Sequence, residues 1–266
     1  MQLTTIDQDN QEAFLPLLFG NKIGNGKLLI GAVEDEKPVG ALVLSRSESA
    51  AYIDHIFVRE DYRRRGIGTA LINETEKVIA FNCFRTSFLD SNEELMYFFE
   101  SLGFSFNGET EYYSISAKDF SKSKFIQQLL SHDVNKAVIS MEGMTNEQRN
   151  GLFNLMKEKG EEDLLASDSL SKDLSFVSFD PSDNDPKAVL LCDKNDDYIT
   201  ITLLENYTED NLHVPKLITA FSLAVKEQGL LDCNIDFVTI NDSIRDFVEK
   251  IVEDNKPDAM MIDAIR

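Results

Sequence analysis

Three consecutive arginines and two glycines, in the order Arg63-Arg64-Arg65-Gly66-Ile67-Gly68, make the most specific chemical demand in the sequence. A β-rich apolar run, residues 52–58, leads into them, and a helix-patterned run, residues 69–80, leads out. A strand, a glycine-bearing turn and a helix start, in that order, form an anion site. The first N–H groups of a helix have no partner within it and point off its end. The helix dipole adds positive potential at the same place. Glycines let a phosphate approach the backbone without meeting a Cβ atom. An arginine run by itself is more often a solvated charge patch. At a strand-to-helix turn with two glycines it reads as a phosphate cradle.

The surrounding elements must hold that turn in place. Upstream, residues 27–33 and 38–45 read as strands joined by the polar turn Glu34-Asp35-Glu36-Lys37, which predicts an antiparallel hairpin. Asp9-Asn10-Gln11-Glu12 offers N-caps before a helical run over 13–19, in which Pro16 implies a late start or a kink. Downstream, residues 85–89 read as a strand parallel to the one ending at Val58, because a helix crossover joins them. Asp90-Ser91-Asn92 offers caps for a helix over 93–101, which Gly103 ends. The strand before the turn carries Asp54 and His55. Simple alternation sets them on opposite faces, with Asp54 beside Tyr52 and Val58.

The order then repeats. A polar break over 117–124 suggests a boundary, giving domains 1–118 and 119–266. Thr145-Asn146-Glu147-Gln148 resembles a helix-capping sequence. Residues 198–204 read as the counterpart of the strand before the turn. Leu71 stands as far beyond Val58 as Leu217 stands beyond Leu204, and Asn92, Leu95 and Phe98 recur as Asn241, Ile244 and Phe247 at one constant offset. This pattern implies an internal duplication of a domain-sized unit. The second copy has lost the cradle. Its loop, Glu209-Asp210-Asn211-Leu212-His213-Val214, carries two carboxylates and no glycine.

Composition bounds the function classes. With 42% hydrophobic residues the chain has material for a full core, and no apolar run is long enough for a membrane span. A formal net charge of −21 disfavours nucleic acid and anionic membranes as partners. The start of the chain lacks a basic, apolar leader, so the expected compartment is cytoplasmic. Cys83, Cys192 and Cys233, like the three histidines, lie too far apart for metal-ligand spacing, so no metal is expected.

The motif Arg63-x-x-Gly66-x-Gly68 after a strand, together with Asn92 and Phe98-Phe99-Glu100-Ser101-Leu102-Gly103-Phe104, resembles the GNAT superfamily of acyl-CoA-dependent N-acyltransferases. The resemblance covers roughly the first 117 residues. It implies an α/β (α+β) architecture of two tandem GNAT-like domains. Each would have a mixed, mostly antiparallel sheet flanked by helices, with one splayed parallel strand pair. It also implies acetyl-CoA as co-substrate and an N-acetyltransferase acting by direct attack of a primary amine, on a small molecule or peptide, with a homodimer compatible. Arg63, Arg64, Arg65, Gly66, Ile67, Gly68 and the N–H of Thr69 would hold the coenzyme pyrophosphate. Phe57 and Val58 would pair with the pantetheine arm, and Asn92 and Phe99 would lie against the coenzyme. The Val58 N–H would stabilise an oxyanion. Asp54 or His55 would serve as base, and at most one of them would reach the slot. Phe99 stands where many members have a tyrosine acid, so Tyr97, or more remotely Tyr112 or Tyr113, would have to supply the proton. An alternative reading keeps the acyl-CoA site as a sensor and drops catalysis. The second domain is expected not to bind acyl-CoA.

Overall fold

The structure, a computed structural model, describes residues 1–19, 27–46, 50–78, 83–131, 137–167, 169–180, 182, 185–195, 197–210, 212–252 and 256–266. Residues 20–26, whose sequence reads as a loop, and Phe81, His132 and Asn211 lie outside the described residues. The chain divides into two compact units, Met1–Glu109 with Met261–Arg266, and Thr110–Met260.

The first unit contains β1 (Gln2–Thr5), α1 (Gln11–Leu18), β2 (Leu28–Glu34), β3 (Lys37–Arg46), β4 (Ala51–Val58), α2 (Ile67–Val78), β5 (Phe84–Leu89), α3 (Glu93–Ser101) and the first part of β6 (Ser105–Ser116). The β2–β3 hairpin turns through Asp35 and Glu36, both left-handed at φ 49° and 61°, the geometry that matches strand twist in two-residue turns. Helix α1 starts at Gln11 and carries Pro16 inside it, rather than starting late. Its Phe14, Leu17 and Leu18 are buried, and this packing outweighs the missing N–H. A Cβ at Gly31 would sit 2.3 Å from the Phe14 ring, so the bare strand backbone is what admits the helix.

The strand before the cradle departs from simple alternation. Val43 pairs with His55 and Leu44 with Ile53, so Asp54 has no partner across the ladder and β4 bulges there. Ala51 and Ile53 belong to the core beneath α2, and beyond the bulge it is Ile56 and Val58 that pack there. Asp54 bonds Ser45, whose ladder partner is Tyr52. His55 bonds the α1 carbonyl of Leu17, and Phe57 packs on the α1-side core. The extra residue therefore brings Asp54, His55 and Phe57 to one side, correcting the expectation that Asp54 and His55 face apart.

Within the first unit the strand order is β1-β2-β3-β4-β5-β12, where β12 spans Ala259–Ile265. Strands β4 and β5 are parallel and the other pairs antiparallel. Met261 to Ile265 pair with Leu89 to Arg85.

The second unit continues β6 and adds α4 (Ala117–Lys122), α5 (Lys124–Leu130), β7 (Val138–Ser140), α6 (Asn146–Lys159), β8 (Phe176–Phe179), β9 (Pro186–Lys194), β10 (Tyr198–Asn206), α7 (His213–Glu227), β11 (Asn234–Val238) and α8 (Asp242–Ile251). Its strand order is β6-β11-β10-β9-β8-β7, with β10 and β11 parallel. The polar stretch 117–124, where a boundary was expected, lies in two short helices that bury Phe120 and Ile126. The division falls instead at Glu109, inside the single strand β6. Helix α6 starts with the full capping box of Thr145 and Gln148. Asn92 and Asn241 cap α3 and α8 alike, accepting from Leu95 N and Ile244 N. The central strand β10 also carries a register shift, between Ile201 and Leu203. No helix among the described residues is long and apolar enough to cross a membrane.

Candidate functional site

The cradle forms as a 3-10 turn, Glu60–Tyr62, followed by an irregular loop and the first turn of α2. Arg64 and Gly66 both have positive φ, 60° and 77°. Gly66 has open space where a Cβ would point, so its backbone conformation is what requires glycine. Gly68 is small for another reason: a Cβ there would meet the Phe98 ring of α3 at 3.0 Å. The first α2 backbone bond runs from Ala70 N to Gly66 O. Among the described residues, the six N–H groups of Arg64 to Thr69 donate to no protein acceptor. Those of Ile67 to Thr69 lie in the first turn of α2, at its positive end, and those of Arg64 to Gly66 lead into it, a donor set that suits a phosphate.

The arginines are anchored differently. Arg63 Nε donates to Val58 O at 3.1 Å and Nη1 to Glu94 Oε2 at 3.1 Å, with the guanidinium 5.9 Å from the Phe57 ring centre. Arg64 Nη2 lies 3.7 Å from Glu94 Oε1 and is largely exposed. Arg65 donates to Asp61 O at 2.8 Å and stacks on Tyr62.

Beside the cradle the sheet opens. Strands β4 and β5 pair only at Ala51↔Phe84 and Tyr52↔Arg85. Thr86 Oγ1 donates to Ile53 O at 3.0 Å, and beyond it the strands share no ladder pair. Arg59 N donates to Val39 O across the β3 edge. By alternation the N–H groups of Ile56 and Val58 therefore turn toward the open edge. A polar edge beside free helical N–H groups is a slot for an extended chain that ends in phosphates.

On the α1 side, Asp54 accepts from Ser45 Oγ at 2.8 Å and lies 3.9 Å from Lys27 Nζ. Burial pushes its carboxyl above the usual range, and the Ser45 bond and the Lys27 charge work against this. His55 Nε2 lies 2.8 Å from Leu17 O. With Nε2–H donating there, Nδ1 keeps a lone pair. Burial pushes the imidazole below its ordinary value, so it stays neutral at pH 7. Phe19, 65% exposed, packs edge-on against Phe57 at 4.9 Å and sits 5.6 Å from His55.

Five other expected residues have surroundings of their own. Phe99 is 1% exposed and enclosed by Phe88, Phe98 and Phe104, so it is a core ring that offers a ligand no surface. Tyr97 is 57% exposed on α3, away from the core that flanks β4. Asn92 uses its carbonyl oxygen to cap α3. Tyr112 and Tyr113 belong to the second unit. Glu94, Phe19 and Lys27 were not singled out from the sequence. A carboxylate two residues into a helix and an apolar residue at a helix end are too common to mark a site.

The second unit closes the same features. Its parallel pairing runs through four pairs, Tyr198↔Asn234 to Ile201↔Phe237. Asn241 Nδ2 then bridges to Leu204 O at 3.1 Å and Glu205 Oε2 at 2.8 Å. Asp210 Oδ1 accepts from Leu212 N at 2.9 Å, so a side-chain carboxylate occupies the start of α7. Among the described residues no group of three His, Cys, Asp or Glu side chains is placed to hold a metal ion.

Residues 4–104 match the acetyltransferase (GNAT) family. The whole chain superposes on a tandem GNAT protein from the clavulanic acid biosynthesis pathway, with TM-score 0.71 and 11% identity over 100% of this chain and 98% of that one. It also superposes on a GCN5-related glucosamine N-acetyltransferase region of a fungal multi-domain β-N-acetylglucosaminidase, with TM-score 0.64 and 11% identity, covering all of this chain and 38% of that one. A GCN5-related N-acetyltransferase from Sphaerobacter thermophilus gives TM-score 0.56 and 9% identity over 96% of this chain and 84% of that one. No curated protein matches the chain. Residues 4–104 thus match the GNAT family, and the chain as a whole has the fold of the tandem GNAT protein.

Proposed function

We propose that the first unit binds acetyl-CoA and transfers its acetyl group to a primary amine of a small molecule or peptide by direct attack. The observation that carries this reading is the row of six free N–H groups from Arg64 to Thr69, set beside the open β4 edge. That donor set fits a pyrophosphate, and the open edge fits an amide-bearing arm. The backbone of residues 64–69 would hold the phosphates, and the N–H groups of Ile56 and Val58 would hold the arm and the thioester oxygen. Acetyl-CoA supplies a thioester as the acyl donor. Asp54 and His55, brought to one side by the bulge, would take the proton of the incoming amine, directly or through water. His55 is suited by its free Nδ1 and its neutral state. Asp54 is suited by its raised affinity for a proton. Phe19 and Phe57 would exclude water on the amine side.

A second reading rests on Phe99. No side-chain acid stands at its position, and Tyr97 points to solvent, so the site could be kept for binding alone, as an acyl-CoA sensor. Release of free thiol from acetyl-CoA, measured over a panel of amines and peptides, separates the two. Turnover above hydrolysis that falls at least about tenfold in Asp54→Asn or His55→Gln supports the enzyme. Saturable binding with no turnover on any amine supports the sensor. The second unit is proposed not to bind acyl-CoA, because Asp210 and Asn241 occupy the positions that stay open in the first.

A further inference from the structure

Glu94 is the one carboxylate that meets the cradle arginines among the described residues, and the proposed function gives it no task. It lies in the first turn of α3, 63% exposed, and spends both oxygens on neighbouring cations: Oε2 on Arg63 at 3.1 Å and Oε1 on Arg64 at 3.7 Å. Nothing about α3 requires this. Asn92 already caps the helix, and Glu93 supplies an acidic residue to the same first turn without touching an arginine. The arginines are not fully committed to it either. Arg63 keeps its Val58 bond through Nε, and Arg64, 75% exposed, makes no hydrogen bond among the described residues. The carboxylate thus stands beside free N–H groups that suit an anion, and it neutralises the two side chains that would add charge to that anion's binding.

We propose that Glu94 is a built-in competitor for the anion site: a phosphate-bearing ligand must displace it from Arg63 and Arg64, and the carboxylate sets the ligand's affinity. This rests on the proposed coenzyme site and concerns its regulation. Two like charges a few ångströms apart near a surface oppose each other by an amount that salt reduces. Replacing Glu94 by Gln removes the competitor and keeps the side chain's shape. The residue is exposed, so the fold should tolerate the change.

The test is calorimetric titration of coenzyme A into the wild type, Glu94→Gln and Glu93→Gln at low and at high salt. The expected result is affinity about three- to tenfold tighter in Glu94→Gln at low salt, with the gain shrinking as salt rises. Glu93→Gln makes the same change in net charge one residue away and should shift affinity by less. Weaker binding in Glu94→Gln would overturn the proposal and make Glu94 a support that holds the arginines in place. Equal effects of the two variants would overturn it by reducing the effect to net charge. Binding by the wild type in either case leaves the proposed function standing, whereas no binding by any variant overturns both.

Discussion

Gly66 and Gly68 stand two residues apart and are glycine for unlike reasons. Gly66 has φ 77° and open space around its missing side chain, whereas Gly68 has Phe98 pressed against it. Gly66→Ala should therefore lower stability by about 1 kcal/mol through backbone strain alone. Gly68→Ala should lower it through crowding, and much of that loss should return in the double variant with Phe98→Leu, read as non-additivity in denaturant titrations. The motif spacing was legible as a cradle from Arg63, Gly66 and Gly68, but their separate reasons were not, because Phe98 meets Gly68 only after two helices pack. His55 and His213 give a pH-dependent expectation. Burial lowers the proton affinity of each in the folded chain. The unfolded chain then binds protons more readily, so this stabilisation is whole above pH about 6.5 and is lost as pH falls through the folded values. Asp54 has the opposite sign, since its raised carboxyl favours the folded state only at the acid end. The melting temperature should fall as pH drops below about 6.5 and fall less in His55→Gln/His213→Gln. An equal fall in that variant would assign the loss to other groups.

The elements around the cradle were legible wherever hydrophobic period and turn chemistry agreed. The β2–β3 hairpin, the β4–α2 turn, the caps at Asn92 and Asn241 and the capping box at Thr145 all stand where their residues imply. What stayed hidden depends on contacts distant in sequence. The β4 bulge comes from the fit of His55 and Ile53 to Val43 and Leu44, and strict alternation cannot register one extra residue. Strand β12 was missed because its sequence pairs with β5, far away in the chain. It buries Ile262 and Ala264 in the first core, and Arg266 donates to Leu102 O at 2.8 Å, pairs with Glu76 and lies over the Phe104 ring. Removing residues 261–266 should cost the first unit about 3 kcal/mol or more, from the Ile262 side chain and the lost ladder. Native-state hydrogen exchange would show it as lost protection in β5, with β8 and β9 little changed. Gly31→Ala should destabilise by about 1–3 kcal/mol, because Phe14 has to leave its place on the sheet.

At the scale of the whole molecule, the duplication leaves two scaffolds and one open cradle. The repeated caps and the repeated strand irregularity mark the common plan. Its divergence is concentrated where a coenzyme would lie: free N–H groups at Arg64 to Thr69 in one unit, Asp210 and the Asn241 bridge in the other. The net charge of −21 opposes the long-range approach of an anionic ligand, so local donors have to supply the affinity. The same field should make the melting temperature rise with added salt up to moderate ionic strength, as like-charge repulsion is screened. The acceptor that the proposed reaction would use was not legible, since the α1 side of β4 is built from Phe19, His55 and the bulge rather than from any local motif. The central claim is that the first unit alone holds the acyl-CoA. Calorimetric titration of acetyl-CoA into the intact chain tests it most directly. The account predicts saturable binding of one molecule per chain, abolished by Gly66→Glu in a protein that still folds. Two molecules per chain, or binding that Gly66→Glu leaves unchanged, would contradict it.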